Sequence, residues 1–502
     1  MRVLAGSEVK DMEGILAKAA EATDVRLEFD FTGTLDGSRT VAAGKAEGKY
    51  DAVWFPSNRY LSLLPGASGR LSTSTKIMAS PVSLGLRRSV ARKLGWDTKS
   101  PTWRAITDAA EDDRFTFGMT DPSASNSGLS ALVGVATTLS GGGSALTANR
   151  VAEAAPDLRR LFRAQTLTSG SSGWLADTFV KKFGKRGGAD GLVNYESVLL
   201  SLNASRKISE PLTIVTPADG VVTADYPLTL LSGADEPTRD AYAALTSWLR
   251  STEAQQMIME ETWRRPAVPA VRPDKRFGKQ MLIELPFPAQ RKVVESLISA
   301  YQNTIRRASQ SIYVLDLSGS MRGQRIDSMR QALVSLAGGN GNLATGDFAV
   351  FREREVVTLL GYSDQPWQPK LFSIPEKSKS GALADIRAAV RDLEPGGNTA
   401  TYTALRAAYR LAARQVVDHP GSLTTIVLLT DGETNRGIRA AEFRAFYRDL
   451  PRGARTVPTF VVKFGDADPN ALSALAKLTG GRLFDTENRG LTSTFKEIRG
   501  YQ

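Results

Sequence analysis

Apolar runs and amphipathic helical stretches take turns along most of this chain. Val3-Leu-Ala predicts a short buried strand, and a helix is expected behind it over about 11–22. Residues 25–31 alternate apolar and polar, which predicts a second strand, with a helix beyond Asp36; Tyr50-Asp-Ala-Val-Trp-Phe55 predicts a third. The loops after these three strands carry hydroxyls, at Ser7, at Thr32 with Thr34, and at Ser57. Strands alternating with helices imply a parallel sheet, so these loops should converge on one rim. A second module begins near Ser80. In it, Phe117-Gly-Met-Thr-Asp-Pro-Ser-Ala-Ser-Asn-Ser-Gly128 is a serine-rich loop feeding an apolar helix over 129–139, and Leu192-Val-Asn-Tyr-Glu-Ser-Val198 is another strand-to-helix junction. Residues 220–230 return the chain toward the first module, and one long amphipathic helix is expected over 238–260. Leu285-Pro-Phe-Pro288 breaks the pattern. Apolar residues at Val293, Val294, Leu297, Ile298 and Tyr301 then predict an amphipathic connecting helix over 291–306, packed on one domain and orienting the other. Beyond it the strand and helix alternation resumes. Gly141-Gly-Gly-Ser and Lys185-Arg-Gly-Gly188 read as surface loops, and no internal repeat is visible.

Composition narrows the choices. A chain of 502 residues is too long for one ordinary core, so two or three domains are expected. Neither the hydrophobic share, 42%, nor any single run suggests a membrane-spanning segment. The first residues lack the apolar core of a signal peptide, which leaves a cytoplasmic location or a targeting or anchoring segment upstream. Cysteine is absent, which excludes disulfides, thiolate metal sites and cysteine nucleophiles. The one histidine, His419, precedes Pro420 in a turn with no nucleophile beside it in sequence. A net charge of +11 raises nucleic acid as a partner, but the arginines are scattered through amphipathic helices without a polybasic block. Nucleic acid is therefore not expected; weak contact with anionic lipid or a cell-wall polymer suits the charge equally well.

The candidate chemistry is concentrated in the last two-fifths of the chain. The apolar run Ile312 to Leu315 ends in Asp316-Leu-Ser318-Gly-Ser320, one carboxylate and two hydroxyls at alternate positions. Pro395-Gly-Gly-Asn-Thr399 is a glycine turn entering a helix, and Thr424-Thr-Ile-Val-Leu-Leu-Thr-Asp431 is an apolar run that stops at a second carboxylate. Hard divalent cations take oxygen ligands of these kinds. Ligands of open α/β sheets bind outside the carboxyl ends of the strands, so both aspartates point to the same rim. The competing reading has the serines capping a helix and Asp431 forming a turn. The three segments together resemble the von Willebrand factor A domain and its metal-ion-dependent adhesion site, over residues 309–502. The resemblance implies metal ligands at Asp316, Ser318, Ser320, Thr399 and Asp431. It also implies a divalent cation, Mg²⁺ ahead of Mn²⁺ or Ca²⁺, with one coordination position open to an Asp or Glu of a protein partner.

The N-terminal segments, with Asp-Pro-Ser-x-Ser-x-Ser-Gly before a helix, Asn-Tyr-Glu-Ser, and a double crossover between two lobes, resemble a bacterial extracellular solute-binding protein of the type 2 periplasmic kind. That resemblance covers residues 1–284, with lobe I at 1–79 and 222–284, lobe II at 80–221, and a connector at 285–308. It implies ligand contacts at Ser7, Thr34, Ser57, Ser125, Ser127 and Tyr195, against the reading that these hydroxyls only cap helices. The cleft strand ends offer no arginine, so an oxyanion there would be held by neutral dipoles alone. The expected fold is α/β, a two-lobed periplasmic-binding-protein-like region followed by a doubly wound parallel-sheet, Rossmann-like A domain. The expected function is non-enzymatic, cation-dependent binding or adhesion, extracytoplasmic and associated with the cell envelope, the N-terminal domain taking a small solute or oxyanion. The alternatives are a transport-associated solute receptor and a metal-dependent hydrolase, for which Glu433 is the one candidate base.

Overall fold

Strands buried on both faces carry near-continuous apolar runs, and Ile312–Leu315 is such a run inside the strand Ser309–Asp316, every residue of which is buried. In a computed structural model of the protein, described for all residues except 186–187, 279–280, 340–349, 433, 466, 487–490 and 502 and the side chains of 492, 493 and 496, the strands form three sheets. They fall in two compact units, Met1–Tyr301 and Gln302–Gln502. Glu433 thus lies outside the described residues. Among the described residues no helix is long and apolar enough to cross a membrane.

The first unit holds two sheets. One is ordered Glu28–Thr32, Arg2–Gly6, Ala52–Trp54, Pro227–Leu231, Leu71–Lys76. The first three strands are parallel and Pro227–Leu231 is antiparallel to both its neighbours. The other is built around Met78–Arg87, Gly191–Tyr195, Phe117–Thr120 and Gln165–Ser169. The chain passes between the sheets after Lys76 and again between Thr223–Ala224 and Pro227–Leu231. Arg265–Pro266, assigned above to lobe I, instead pairs with Met78 and Ala79 of the second sheet. The long helix expected over 238–260 is two helices, Glu236–Leu249 and Thr252–Thr262. Ser251 breaks it: its hydroxyl accepts from the Ala254 amide at 3.2 Å and starts a new helix. The helix Arg291–Ala300 buries Val293, Val294, Leu297 and Ile298 against helices Asn126–Leu139 and Ala148–Phe162. Tyr301 follows it, donating to Gln165 Oε1 at 2.9 Å and meeting the Phe162 ring at 5.0 Å. Of the expected connector that packs on one domain, the packing is thus with helices of the second lobe.

The second unit has one six-stranded sheet, ordered Lys370–Ser373, Val356–Tyr362, Ser309–Asp316, Leu423–Thr430, Thr459–Lys463, Leu483–Asp485. Among the described strands of this sheet only the edge strand Lys370–Ser373 is antiparallel. Helix Thr401–Asp418 lays Ala404, Leu405, Ala408 and Tyr409 on one face of the sheet, against Ile312, Val314, Ile426 and Leu428. Tyr313 points to the other face, where its ring meets Phe351 at 5.6 Å and Phe495 of helix Leu491–Arg499 at 6.4 Å. Helices on both faces leave the carboxyl ends of the parallel strands as the open rim.

Candidate metal centre and interlobe cleft

Strands Ser309–Asp316 and Leu423–Thr430 are neighbours in parallel register, with Leu315 opposite Leu429, so Asp316 and Asp431 leave the sheet side by side. Asp316 is fully buried. Its Oδ1 accepts from the Ser318 amide at 3.0 Å; its Oδ2 accepts from Thr430 Oγ1 at 2.7 Å and from the Tyr362 hydroxyl at 3.0 Å. The Ser318 and Ser320 hydroxyls are 3.0 Å apart, and Ser320 Oγ donates to Asp431 Oδ1 at 2.9 Å. The glycine turn closes the group from the side. Gly319 donates its amide to the Gly397 carbonyl at 2.9 Å, and Gly396 to that of Leu317 at 2.7 Å. Thr399 is buried and held by Asn435 Oδ1, which accepts from its amide at 2.8 Å. A Cβ placed on Gly432 would stand 3.8 Å from Ser320 Oγ and 3.9 Å from Thr399 Oγ1. All five residues read from the sequence therefore meet at one place on the rim.

Two carboxylates and three hydroxyls form a hard-oxygen donor set of the kind Mg²⁺, Mn²⁺ or Ca²⁺ takes. Among the described residues no group of three His, Cys, Asp or Glu side chains could hold a metal, so a cation here depends on the hydroxyls. The electrostatics fit one. Burial pushes the Asp316 carboxyl above the usual range, its hydrogen bonds pull it down, and Asp431 adds to the rise. Among the described residues no cationic side chain pairs with Asp316, whereas Asp431 pairs with Arg325 at 2.7 Å. A buried carboxylate supported by dipoles alone invites a cation. Sequence reasoning missed Arg325, Tyr362 and Thr430, which reach the aspartates from a helix and two strands.

The first unit gathers its candidate residues less completely. Ser127 is fully buried, and its hydroxyl lies 2.8 Å from Thr120 Oγ1, 3.1 Å from Ser125 Oγ and 2.9 Å from Ser172 Oγ. Asn126 donates to the Tyr195 hydroxyl at 2.9 Å, tying Tyr195 to the same loop. The loop around Gly33 comes close to this cluster: a Cβ on Gly33 would stand 3.1 Å from the Ala124 carbonyl oxygen. Thr34 is buried at the start of helix Thr34–Ala42, and the Ser57 hydroxyl is engaged by the Arg59 amide at 3.3 Å. Ser7 is exposed at the end of its strand. Neutral dipoles are not the whole electrostatics around Tyr195. Arg264, 2% exposed, donates to both Asp11 oxygens at 2.8 Å and to the Glu8 carbonyl at 2.8 Å. Its guanidinium lies 4.8 Å from the Tyr226 ring, itself 6.1 Å from that of Tyr195. Burial raises the Glu8 and Asp11 carboxyls and lifts the Tyr226 phenol to about 12. Arg264 follows a helix rather than a strand, so strand-end reading passed over it.

A family model described as bacterial extracellular solute-binding protein matches residues 1–264, just over half of the 502. The chain belongs to this family. A second model, described as von Willebrand factor type A domain, matches residues 312–497, so this solute-binding family member also carries an A domain. Both matched modules are binding modules. Among curated proteins, inter-alpha-trypsin inhibitor heavy chain H1 of Sus scrofa is 25% identical over 188 residues, 36% of this chain and 19% of its own. The chain spans about a fifth of the length of that relative. Among solved structures, the periplasmic binding protein AfuA of Actinobacillus pleuropneumoniae, bound to fructose-6-phosphate, aligns with TM-score 0.47 and 14% identity, covering 61% of this chain and 98% of its own. A ferric binding protein from Campylobacter jejuni aligns with TM-score 0.45 and 12% identity over 60% of this chain and 96% of its own. A von Willebrand factor type A protein from Catenulispora acidiphila aligns with TM-score 0.31 and 16% identity over 39% of this chain and 42% of its own.

Proposed function

We propose that this protein is a non-enzymatic, divalent-cation-dependent binding protein of the cell envelope. Its A domain captures a protein partner and its two-lobed domain takes a small solute. The observation that carries this reading is the meeting of Asp316, Ser318, Ser320, Thr399 and Asp431 at adjacent strand ends, with Asp316 buried and, among the described residues, lacking a cationic partner. The bound cation would supply a vacant coordination position that a partner's Asp or Glu carboxylate fills. The protein's own residues fix the donors: Thr430 and Tyr362 orient the Asp316 carboxylate, the Gly397 carbonyl ties the glycine turn to the Gly319 amide, and Asn435 holds the Thr399 amide. Hydroxyl donors are neutral, so they leave more of the cation's charge for the partner than carboxylates would. An extracytoplasmic site of action follows the solute-binding family likeness, and the charged trio of Glu8, Asp11 and Arg264 supports a polar solute in the cleft.

The test is cation-dependent capture. Immobilised protein should retain a partner from cell-envelope extract in millimolar Mg²⁺, release it in EDTA, and retain nothing as the Asp316→Ala variant, whose far-ultraviolet circular dichroism should match the parent. Capture that survives both EDTA and Asp316→Ala removes the metal from the mechanism.

A further inference from the structure

Arg325 stands in the first turn of helix Gln324–Leu336, and its Nη1 donates to Asp431 Oδ2 at 2.7 Å. The same nitrogen reaches the Ser320 carbonyl at 3.5 Å. The Asp431 side chain is wholly covered while that of Arg325 is 35% exposed, so the guanidinium lies between the carboxylate and solvent. It also has a fitted seat. Gly465 has φ +51°, and a Cβ there would stand 2.6 Å from Arg325 Nη2 and 2.7 Å from its Cζ, so a glycine at 465 leaves the guanidinium its room. The other Asp431 oxygen is taken by Ser320 Oγ. Both oxygens of one of the two candidate carboxylate ligands are therefore already served by the chain's own donors, and one of those donors is a full positive charge.

An exposed ion pair would mean little, because water screens it. Here the acid is buried and lies beside a second buried acid, where charge counts for more. Resting on the metal reading above, we propose that Arg325 is a resident competitor of the dication: it neutralises Asp431 in the metal-free protein and lowers the affinity of the centre for a divalent cation. The centre then fills and empties with the surrounding free dication, and the metal-free site stays folded because the buried Asp431 carboxylate keeps a counter-charge. Ser318, Ser320 and Thr399 cannot play this part, since a hydroxyl offers no net charge.

The experiment uses the full chain. Mg²⁺ and Mn²⁺ are titrated calorimetrically into the parent, Arg325→Gln and Arg325→Lys, and thermal unfolding is followed in EDTA. Arg325→Gln should bind both ions at least tenfold more tightly than the parent and melt earlier in EDTA; Arg325→Lys should stay within about threefold of the parent. If Arg325→Gln does not fold, Gly465→Ala, which displaces the guanidinium, should tighten binding in the same direction. A parent that binds and an Arg325→Gln variant that binds equally or more weakly overturns the competitor role while leaving the metal site standing. A parent and variants that all fail to bind millimolar metal overturn both.

Discussion

The glycine turn at 396–397 offers the sharpest separation of backbone strain from side-chain crowding. Gly397 has φ +82°, a left-handed conformation that costs a residue with a Cβ about 1 kcal/mol or more. A Cβ there would also stand 2.5 Å from Asp364 Oδ2, so Asp364 must move and give up the bond it accepts from Asn398 Nδ2 at 2.7 Å, worth about 1 kcal/mol. Gly397→Ala should therefore cost the second unit about 2–3 kcal/mol. Gly396→Ala is the control, because its Cβ would meet only Arg322 Nη2 at 3.8 Å, and it should be close to neutral. Adding Asp364→Ala to Gly397→Ala removes the collision but not the strain. The double variant should then lie only about 1 kcal/mol below Asp364→Ala alone. Urea unfolding of the metal-free protein, resolved into the transitions of the two units, measures all four. Because the Gly397 carbonyl holds the Gly319 amide and Thr399 lies two residues on, Mg²⁺ affinity should fall at least tenfold in Gly397→Ala. Equal stability of the two glycine variants would refute the reasoning.

Substitutions at three further places probe other parts of the account. Arg499 and Glu355 form a bidentate pair at 2.7 and 2.8 Å, each about fully buried, tying helix Leu491–Arg499 to the base of the sheet. Arg499→Met should cost about 3–5 kcal/mol by stranding the carboxylate, and Glu355→Leu with Arg499→Met should recover most of it. Burial raises the Glu355 carboxyl, but Arg499 and the Arg352 amide outweigh it and hold it below the ordinary value. Its contribution is thus complete at neutral pH and is lost as pH falls through the carboxylate range toward that lowered value, an acid sensitivity that the Glu355→Leu, Arg499→Met pair should lack. Tyr362→Phe removes one of two hydroxyl donors to a buried oxygen of Asp316, and should lower the melting stability of the second unit in EDTA by about 1.5–3 kcal/mol. Asp11→Ala strips the buried Arg264 guanidinium of its carboxylate partner and should cost the first unit about 3 kcal/mol, read from the first unit's urea transition.

Strand positions and the rim residues Asp316, Ser318, Ser320, Thr399 and Asp431 were the legible part of this chain, because both are written locally. Ile312 to Leu315 and Ile426 to Leu429 are apolar without interruption, as buried parallel strands must be, and the polar residues that end them fall at the rim by construction. The two lobes were legible for the same reason, from serine-rich junctions at Asn126–Leu139 and Glu196–Ser205. What escaped is long-range. Arg325 meets Asp431 across 106 positions, Tyr362 meets Asp316 across 46, and Arg264 meets Asp11 across 253; no spacing rule announces such pairs. The break at Ser251 was overlooked because apolar periodicity runs on through it, while the cap that ends one helix and starts the next is a single hydroxyl.

Calorimetric titration of Mg²⁺ into the parent chain and its Asp316→Ala variant addresses the dication most directly. Saturable binding of one ion per chain by the parent, and none by a variant that retains the parent's secondary structure, is the predicted outcome. Undiminished binding by Asp316→Ala, or a parent that takes up no ion at millimolar concentration, would contradict it.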